Sequence, residues 1–94
     1  MTKIEYALEH PASVKDDTVF SEVTYYLLHS IEAAEGLEKL KLTARLEEIK
    51  CHYYSYLADS IDFRKRYLKE SYTKDAHSAF ERLMRIYKEL PDED

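Results

Sequence analysis

The sequence predicts an all-α protein, and three observations support that class. The 94 residues include no Asn or Gln and only one Gly, so the residues that build tight turns and hairpins are nearly missing. Glu, Lys, Leu and Ala, which favour helices, are abundant. Apolar residues recur at spacings of three and four along three long segments. We expect an antiparallel bundle of three main helices, at about 17–35, 43–69 and 73–90, with a short N-terminal helix or arm.

Capping residues mark the starts of the first two helices. Thr2 and Glu5 have the spacing of a capping box, which predicts that a short helix begins after Thr2. Asp16 or Asp17 can accept hydrogen bonds from the first free N–H groups of the next helix. Residues 1–16 are therefore expected to form the N-terminal arm or short helix ahead of the bundle.

The only glycine predicts the end of the second helix, because Gly36 has the position of a left-handed C-terminal cap. Residues 37–42 alternate apolar and charged side chains and are expected to form a connector. Thr43 is the predicted cap of the longest helix, at about 43–69, which carries an apolar stripe. The segment 59–62 (Asp-Ser-Ile-Asp) is the one weak point of that helix.

The last helix is expected at about 73–90. Ser71 or Thr73 would cap it, and Pro91 would end it because proline cannot continue a helix. The apolar stripes of the three helices then form the core of a single domain, 1–94. The residues predicted to lie in that core are Val23, Leu27, Ile31, Leu46, Ile49, Leu57, Ile61, Leu68, Phe80, Leu83 and Leu90.

The predicted helix lengths indicate self-association. A helix at 43–69 would be about 40 Å long, whereas each of its neighbours would be shorter than about 30 Å. The overhanging apolar surface needs a cover. Either a second copy in a symmetric dimer or the N-terminal helix, through Ile4 and Leu8, can supply it. We expect the homodimer.

Charge is distributed unevenly along the chain, whose net charge is −5. Residues 1–40 carry three Lys against eight acidic residues, and residues 41–90 carry eleven Lys and Arg against eight. An acidic tail follows at 91–94. Antiparallel pairing of two copies would set the acidic half of one near the basic half of the other.

The sequence also bears on the cellular compartment. No window approaches the roughly 18 apolar residues of a membrane span, so no membrane partner is expected. The N-terminus has no apolar signal region. Cys51 is the only cysteine and cannot form an internal disulfide. A reducing cytoplasm is therefore the expected location.

Tyrosine is the residue type that is most informative about function. The chain has nine Tyr against three Phe, and side chains turn by about 100° per helical residue, so Tyr53, Tyr54 and Tyr56 cannot all face one core. Tyrosine is enriched in interfaces, although it can also replace Phe at half-buried positions. We expect a non-enzymatic protein–protein interaction module, such as an adaptor, assembly factor or regulatory subunit, that acts through a Tyr-rich helix face. Its predicted partner-binding residues are Tyr53, Tyr54, Tyr56, Tyr67, Arg64 and Arg66.

Arg45 and His52 offer an enzymatic alternative. Their spacing resembles the Arg-x(4–6)-His signature of HEPN ribonucleases, small helical proteins in which two chains pool these residues to cleave RNA. A polar residue commonly follows the Arg in that family, and Leu46 stands there in this chain. The resemblance implies an RNA-cleaving dimer that uses Arg45 and His52. The structural alternative is a solvated ladder in which Glu48 pairs with both.

Nucleic-acid binding by the basic region 64–88 is a further alternative. Tyr67 and Tyr72 lie in or near that region and could stack on bases. Several of its cations have acidic residues at helical spacing, and the whole chain is acidic, which weakens binding to a polyanion. No cofactor or metal is expected, because no His pair, Cys pair or Gly-rich loop has the required spacing.

The composition further predicts heat stability. Asn and Gln deamidate when hot, and thermophile proteins tend to carry fewer of them and more Glu and Lys. We expect the thermal unfolding midpoint, followed by circular dichroism, to lie above the mesophile range of about 45–65 °C. A midpoint inside that range would reject a thermophilic origin.

Overall fold

The structure, a computed structural model, describes residues 2–91, and the acidic residues 92–94 of the predicted tail lie outside that range. Within it there are four α-helices and no strand, so the predicted all-α class with a short N-terminal helix is confirmed. The helices are α1 (Lys3–Glu9), α2 (Asp17–Ala33), α3 (Gly36–Ser60) and α4 (Arg66–Glu89), with 3₁₀ turns at Pro11–Ser13 and Phe63–Lys65.

The first two helices begin with the predicted side-chain caps. The N–H of Glu5 donates to Thr2 Oγ1 (3.1 Å), and the N–H of Thr18 donates to Asp16 Oδ1 (2.7 Å). Each bond satisfies a backbone donor that the start of a helix leaves free. Gly36 adopts the left-handed φ of +62° expected of a cap, but it begins α3, and α2 already ends at Ala33.

The boundaries of α3 and α4 differ from the predicted ones, because neither Thr43 nor Thr73 caps a helix. Thr43 Oγ1 donates to the carbonyl of Lys39 (2.7 Å), and Thr73 Oγ1 donates to the carbonyl of Lys69 (2.8 Å). A threonine that bonds backwards satisfies its hydroxyl inside a helix. The predicted connector at 37–42 is also helical, since Leu, Glu and Lys are strong helix formers.

The chain instead turns at the end of the weak segment 59–62. Ile61 and Asp62 are extended, and Asp62 Oδ1 accepts the N–H of Arg64 (3.0 Å), which caps the 3₁₀ turn Phe63–Lys65. Because α4 then begins early, it has 24 residues against 25 in α3. The predicted overhang of a long middle helix is therefore wrong on the side of α4, whereas α2, with 17 residues, remains shorter than α3. The turn Pro11–Ser13 also packs on α3, so the N-terminal segment supplies cover there and helix length no longer requires a dimer.

The three long helices form layers with α3 in the middle. α3 packs most extensively against α4 and also against α2, whereas α2 and α4 share no comparable interface. Ile49 packs with the α2 core, and Ala58 lies beside α4. Ile49 and Ala58 are nine positions apart, a separation that at about 3.6 residues per turn puts them on opposite sides of α3. The Cα radius of gyration, 14.1 Å, exceeds the roughly 12 Å of a compact domain of this length.

The main core lies between α1, α2 and α3. Ala7, Val14, Val23, Leu27 and Ile49 are each at most 2% exposed. Of the predicted core, the buried residues are Val23, Leu27, Leu46, Ile49 and Leu83, and the partly buried ones are Ile31, Leu57, Ile61, Leu68 and Leu90. Phe80 is 46% exposed, so its prediction is wrong. Ala76, Ala79 and Leu83 point toward α3, and Phe80 lies at the flank of that stripe.

Ile49→Ala is expected to lower the free energy of unfolding by about 2–5 kcal/mol, because it leaves a cavity between α2 and α3. Leu28→Ala is the control: Leu28 is 51% exposed, and its truncation should change stability by less than about 0.5 kcal/mol. Denaturant unfolding followed by circular dichroism measures both. Similar losses in the two variants would contradict this assignment of the core.

Candidate interaction surfaces

Tyr53 belongs to the core between α2 and α3. Its ring stacks on Phe20 with centroids 4.1 Å apart, and its hydroxyl donates to Asp17 Oδ1 (3.2 Å). Only 4% of Tyr53 is exposed. Burial, together with the hydrogen bond to the Asp17 carboxylate, raises the pKa of Tyr53 to about 12. The side chain therefore holds α2 against α3 and does not face outward.

Tyr54 and Tyr56 are half-buried and attach other parts of the chain to α3. The Tyr54 ring lies 6.4 Å from that of Tyr72 in α4 and 5.7 Å from that of Phe20 in α2. Lys15 Nζ lies 5.8 Å from the centroid of the Tyr56 ring, a cation–π distance. Burial raises the pKa of the Tyr54 hydroxyl. These tyrosines are engaged within the chain and form no single outward face.

A buried ion pair joins α3 to α4. Glu47 is 5% exposed, and its Oε2 accepts a hydrogen bond from Arg82 Nε (3.1 Å). Lys50 Nζ lies 3.9 Å from the other oxygen of Glu47. A buried carboxylate needs such partners to remain charged. Arg82, which belongs to the predicted basic region 64–88, is thus committed to the helix interface.

The two residues of the ribonuclease resemblance are separated within one chain. Arg45 Nη1 donates to Glu48 Oε2 (3.3 Å), as the ladder interpretation predicts, and the Tyr87 hydroxyl donates to Glu48 Oε1 (2.7 Å). His52 is exposed and lies about 10 Å from Arg45 along the helix axis. Glu48 between them carries negative charge, which opposes the approach of an RNA phosphate.

The turn between α3 and α4 forms an exposed, positively charged surface. Phe63 is 81% exposed and Tyr67 is 70% exposed. The guanidinium carbon of Arg64 lies 6.0 Å from the centroid of the Phe63 ring, and Arg66 pairs with Glu70 (3.2 Å). We call this surface the basic corner; it consists of Phe63, Arg64, Lys65, Arg66, Tyr67 and Lys69, all exposed.

The basic corner brings together three of the six predicted binding residues, Arg64, Arg66 and Tyr67, and leaves out Tyr53, Tyr54 and Tyr56. The rest of the basic region 64–88 does not join it, since Lys88 lies about 33 Å from Arg66 along α4. Sequence reasoning missed Phe63. A signal for it was present, because a large apolar residue between Asp62 and three consecutive cations sits in a polar turn, where it has no core to enter.

A second surface lies on the side of α2 that faces away from α3. Tyr25 is 68% exposed and Leu28 is 51% exposed, and the rings of Tyr25 and His29 are 4.3 Å apart. No Lys or Arg occurs in α2. We call this surface the outer face of α2; it consists of Ser21, Glu22, Tyr25, Leu28, His29 and Glu32, all exposed.

Cys51 lines a cavity of about 390 Å³ between α3 and α4, together with Ala58, Ala76 and Phe80. Burial raises the pKa of the Cys51 thiol, so little thiolate exists at neutral pH. His77 lies in the same wall and pairs with Glu81 (2.9 Å). The thiol is therefore a poor nucleophile.

No protein-family model, curated protein or solved structure matches this chain. In the part of the chain that the structure describes, no helix combines the length and the apolar character needed to cross a membrane. Among the same residues, no three His, Cys, Asp or Glu side chains are grouped so that they could hold a metal ion.

Tyr53 and Tyr87 are expected to ionise at higher pH than a free tyrosine. Burial of Tyr53, partial burial of Tyr87 (44% exposed) and a hydrogen bond from each hydroxyl to a carboxylate raise the pKa of both to about 12, against about 10 in an unfolded chain. Because the folded pKa is the higher one, both groups stabilise the fold fully below about pH 10, and this contribution is lost as the pH rises from about 10 to about 12. Tyrosinate absorbance during an alkaline titration measures the two late ionisations.

Tyr53→Phe should remove one late ionisation, whereas the control Tyr67→Phe, at an exposed position, should leave both. Removing the Tyr53 hydroxyl should also weaken the pH dependence of the free energy of unfolding above about pH 10, because the group that ionises beside Asp17 is then absent. A wild-type titration in which all nine tyrosines ionise together near the pKa of the free side chain would contradict this description.

Proposed function

We propose that the protein is a non-enzymatic protein–protein interaction module of the adaptor, assembly-factor or regulatory-subunit type, and that it binds an acidic partner protein through the basic corner. The observation that carries the proposal is the exposure of Phe63 (81%) and Tyr67 (70%) beside the cations of the same turn. Rings this exposed contribute little to the core, and grouped apolar side chains on a surface are typical of interaction sites.

The composition of the basic corner is that of an interface centre. Arg and aromatic residues are enriched there and supply many of the side chains that dominate binding energy. Exposed ion pairs contribute only about 0–1 kcal/mol each. Most of the affinity would therefore come from burying the rings of Phe63 and Tyr67, while the cations select and orient an acidic partner.

The cations of the basic corner are accessible to such a partner. Among the ion pairs within residues 2–91, none involves Lys65 or Lys69. The pair between Arg66 and Glu70 has side chains that are 85% and 68% exposed, so water screens it and a partner carboxylate can compete with Glu70. This arrangement favours recognition of acidic segments.

The contacts of Arg45 and Glu48 favour a binding role over RNA cleavage. Arg45 is paired with Glu48, which also accepts the Tyr87 hydroxyl, so a phosphate would have to displace an existing acidic partner. The proposal includes a cytoplasmic location, which the single free thiol, Cys51, supports.

The basic corner is tested with a random copolymer of Glu and Tyr, which supplies acidic and aromatic side chains. Phe63→Ala combined with Tyr67→Ala should weaken binding at least about tenfold, or ~1.4 kcal/mol, because both rings are lost. Fluorescence anisotropy of labelled copolymer measures this. The matched control is Tyr6→Ala, since Tyr6 is a 50% exposed aromatic residue on α1, and it should bind as the wild type does.

Three outcomes would overturn the proposal. Copolymer binding that survives the double substitution would place the site elsewhere. Preferential binding of oligothymidylate, with a steep salt dependence, would support the nucleic-acid alternative. RNA cleavage that Arg45→Ala or His52→Ala abolishes would show that the protein is an enzyme.

A further inference from the structure

Polar side chains of α3 and α4 surround a cavity of about 280 Å³ beside the buried ion pair of the two helices. We call this cavity the polar cleft; it is lined by Lys50, Tyr54, Asp75, Ser78 and Arg82. We propose that the polar cleft binds a small zwitterion, a short-chain molecule with an ammonium group at one end and a carboxylate at the other. The cleft shares no residue with the basic corner, so the inference stands independently of the proposed function.

The two cations of the polar cleft lie at the same end of it. Glu47 pairs with Arg82, and the rings of Tyr54 and Tyr72 are 6.4 Å apart, so α3 and α4 run antiparallel. Lys50 Nζ lies 3.9 Å from Glu47 Oε1, which sets the ammonium group at the Arg82 end. That distance exceeds the roughly 3.2 Å limit of a good hydrogen bond, so the ammonium N–H groups can still donate.

The opposite end of the polar cleft is acidic. Asp75 precedes Arg82 by seven positions, a separation of about 10.5 Å along α4. Burial raises the pKa of Tyr54, and the charge of the Asp75 carboxylate raises it further. The Tyr54 hydroxyl therefore lies within the electrostatic reach of Asp75, and at neutral pH it is a hydrogen-bond donor.

Several polar groups of the cleft are not used by contacts within the chain. Arg82 donates from Nε to Glu47, which leaves the N–H groups of its two terminal nitrogens for another acceptor. Among the side-chain hydrogen bonds and ion pairs within residues 2–91, none involves Asp75 or Ser78, and none involves the hydroxyl of Tyr54. Donors and an acceptor therefore converge on one cavity, as they do at the sites of small polar ligands.

Ser78 is half-buried midway between the two ends of the cleft. Five other hydroxyl side chains in the long helices donate to the carbonyl four residues earlier: Thr24, Ser30, Thr43, Ser60 and Thr73. Such a bond satisfies a hydroxyl inside a helix. The Ser78 hydroxyl makes no such bond and is available to a ligand.

The balance of charge determines the class of ligand. Lys50 and Arg82 carry two positive charges, and Glu47 and Asp75 carry two negative ones, so the cleft has no net charge. A simple anion would be attracted by the cations but repelled by Asp75, and a simple cation would meet the reverse. A zwitterion satisfies both ends: its carboxylate accepts from Arg82 and Lys50, and its ammonium group donates to Asp75.

The dimensions of the cleft favour a short linear ligand. Its volume of about 280 Å³ lies at the lower limit of ligand sites, which is roughly 300 Å³. In an α-amino acid the two charges flank a single carbon atom, so glycine would reach only one end. A few methylene groups between the charges would reach both and would contact the Tyr54 ring. For so small a ligand we expect a dissociation constant of about 1 mM.

Nuclear magnetic resonance titration of the ¹⁵N-labelled protein tests the ligand class with γ-aminobutyrate as the probe. Butyrate and butylamine are the matched controls, since each keeps the chain and lacks one charge. γ-Aminobutyrate should bind at least about fivefold more tightly than either control and than glycine, and the amide signals around Tyr54 and Ser78 should shift. Equal binding of butyrate would show an anion site and overturn the proposal, as would the absence of saturable shifts.

Asp75→Asn tests the acidic end of the cleft. The substitution should weaken γ-aminobutyrate binding about tenfold, or ~1.4 kcal/mol, because one charge-assisted hydrogen bond is lost. It should strengthen butyrate binding, because the repulsion between two carboxylates is removed. A structural role of Asp75 would not change the two affinities in opposite directions. The matched control is Asp59→Asn, at an exposed carboxylate outside the cleft, which should leave both affinities unchanged.

Lys50→Met tests the basic end and keeps the aliphatic packing of the side chain. It should weaken γ-aminobutyrate and butyrate alike by about tenfold, while the exposed control Lys74→Met should bind as the wild type does. Arg82 is left unchanged, because its removal would leave the buried Glu47 without its main partner. Equal losses in Lys50→Met and Lys74→Met would overturn the proposed site, and circular dichroism verifies that each variant is folded.

Discussion

Burial of α3 on two opposite sides is the constraint on which the rest of the structure depends. On one side Ile49 and Tyr53 pack on α2, and on the other side Arg82 of α4 neutralises the buried Glu47. α2 and α4 each contact α3 and share no comparable interface, so they must face either water or a partner on their outward sides. The layered shape and the exposed surfaces both follow from this arrangement.

Helix starts could be predicted to within one residue where a side-chain cap precedes an apolar stripe, as at Thr2 and at the pair Asp16 and Asp17. The predicted caps Thr43 and Thr73 were wrong because a threonine hydroxyl can either accept a bond from an N–H group further along the chain, as a cap, or donate one to a carbonyl one turn earlier. The sequence pattern does not distinguish these two bonds. The sequence indicated the turn after Ile61 only as a weak point in the predicted helix. An apolar stripe does not distinguish a helix that continues from a chain that reverses into a second helix packed against the first.

The candidate site was harder to predict than the fold, because it depends on which neighbours receive each side chain. Periodicity shows that Tyr53, Tyr54 and Tyr56 diverge, but not that Phe20 and Tyr72 would engage them within the chain. The basic corner was partly found because its cations are contiguous in sequence. Its most exposed ring was missed, since the exposure of Phe63 arises from a turn that propensity alone did not locate.

The charge asymmetry of the sequence becomes an arrangement of surfaces in the fold. The acidic first half supplies α2, whose outward side carries Glu22 and Glu32 and no Lys or Arg, and the basic second half supplies the corner between α3 and α4. These surfaces belong to different layers, so a partner bound at the basic corner would leave the outer face of α2 in water. The two surfaces also differ in charge, so an acidic partner would be attracted to the corner and repelled by α2. Because the corner offers only two rings and a few screened charges, burial of Phe63 and Tyr67 would have to supply most of the affinity for such a partner.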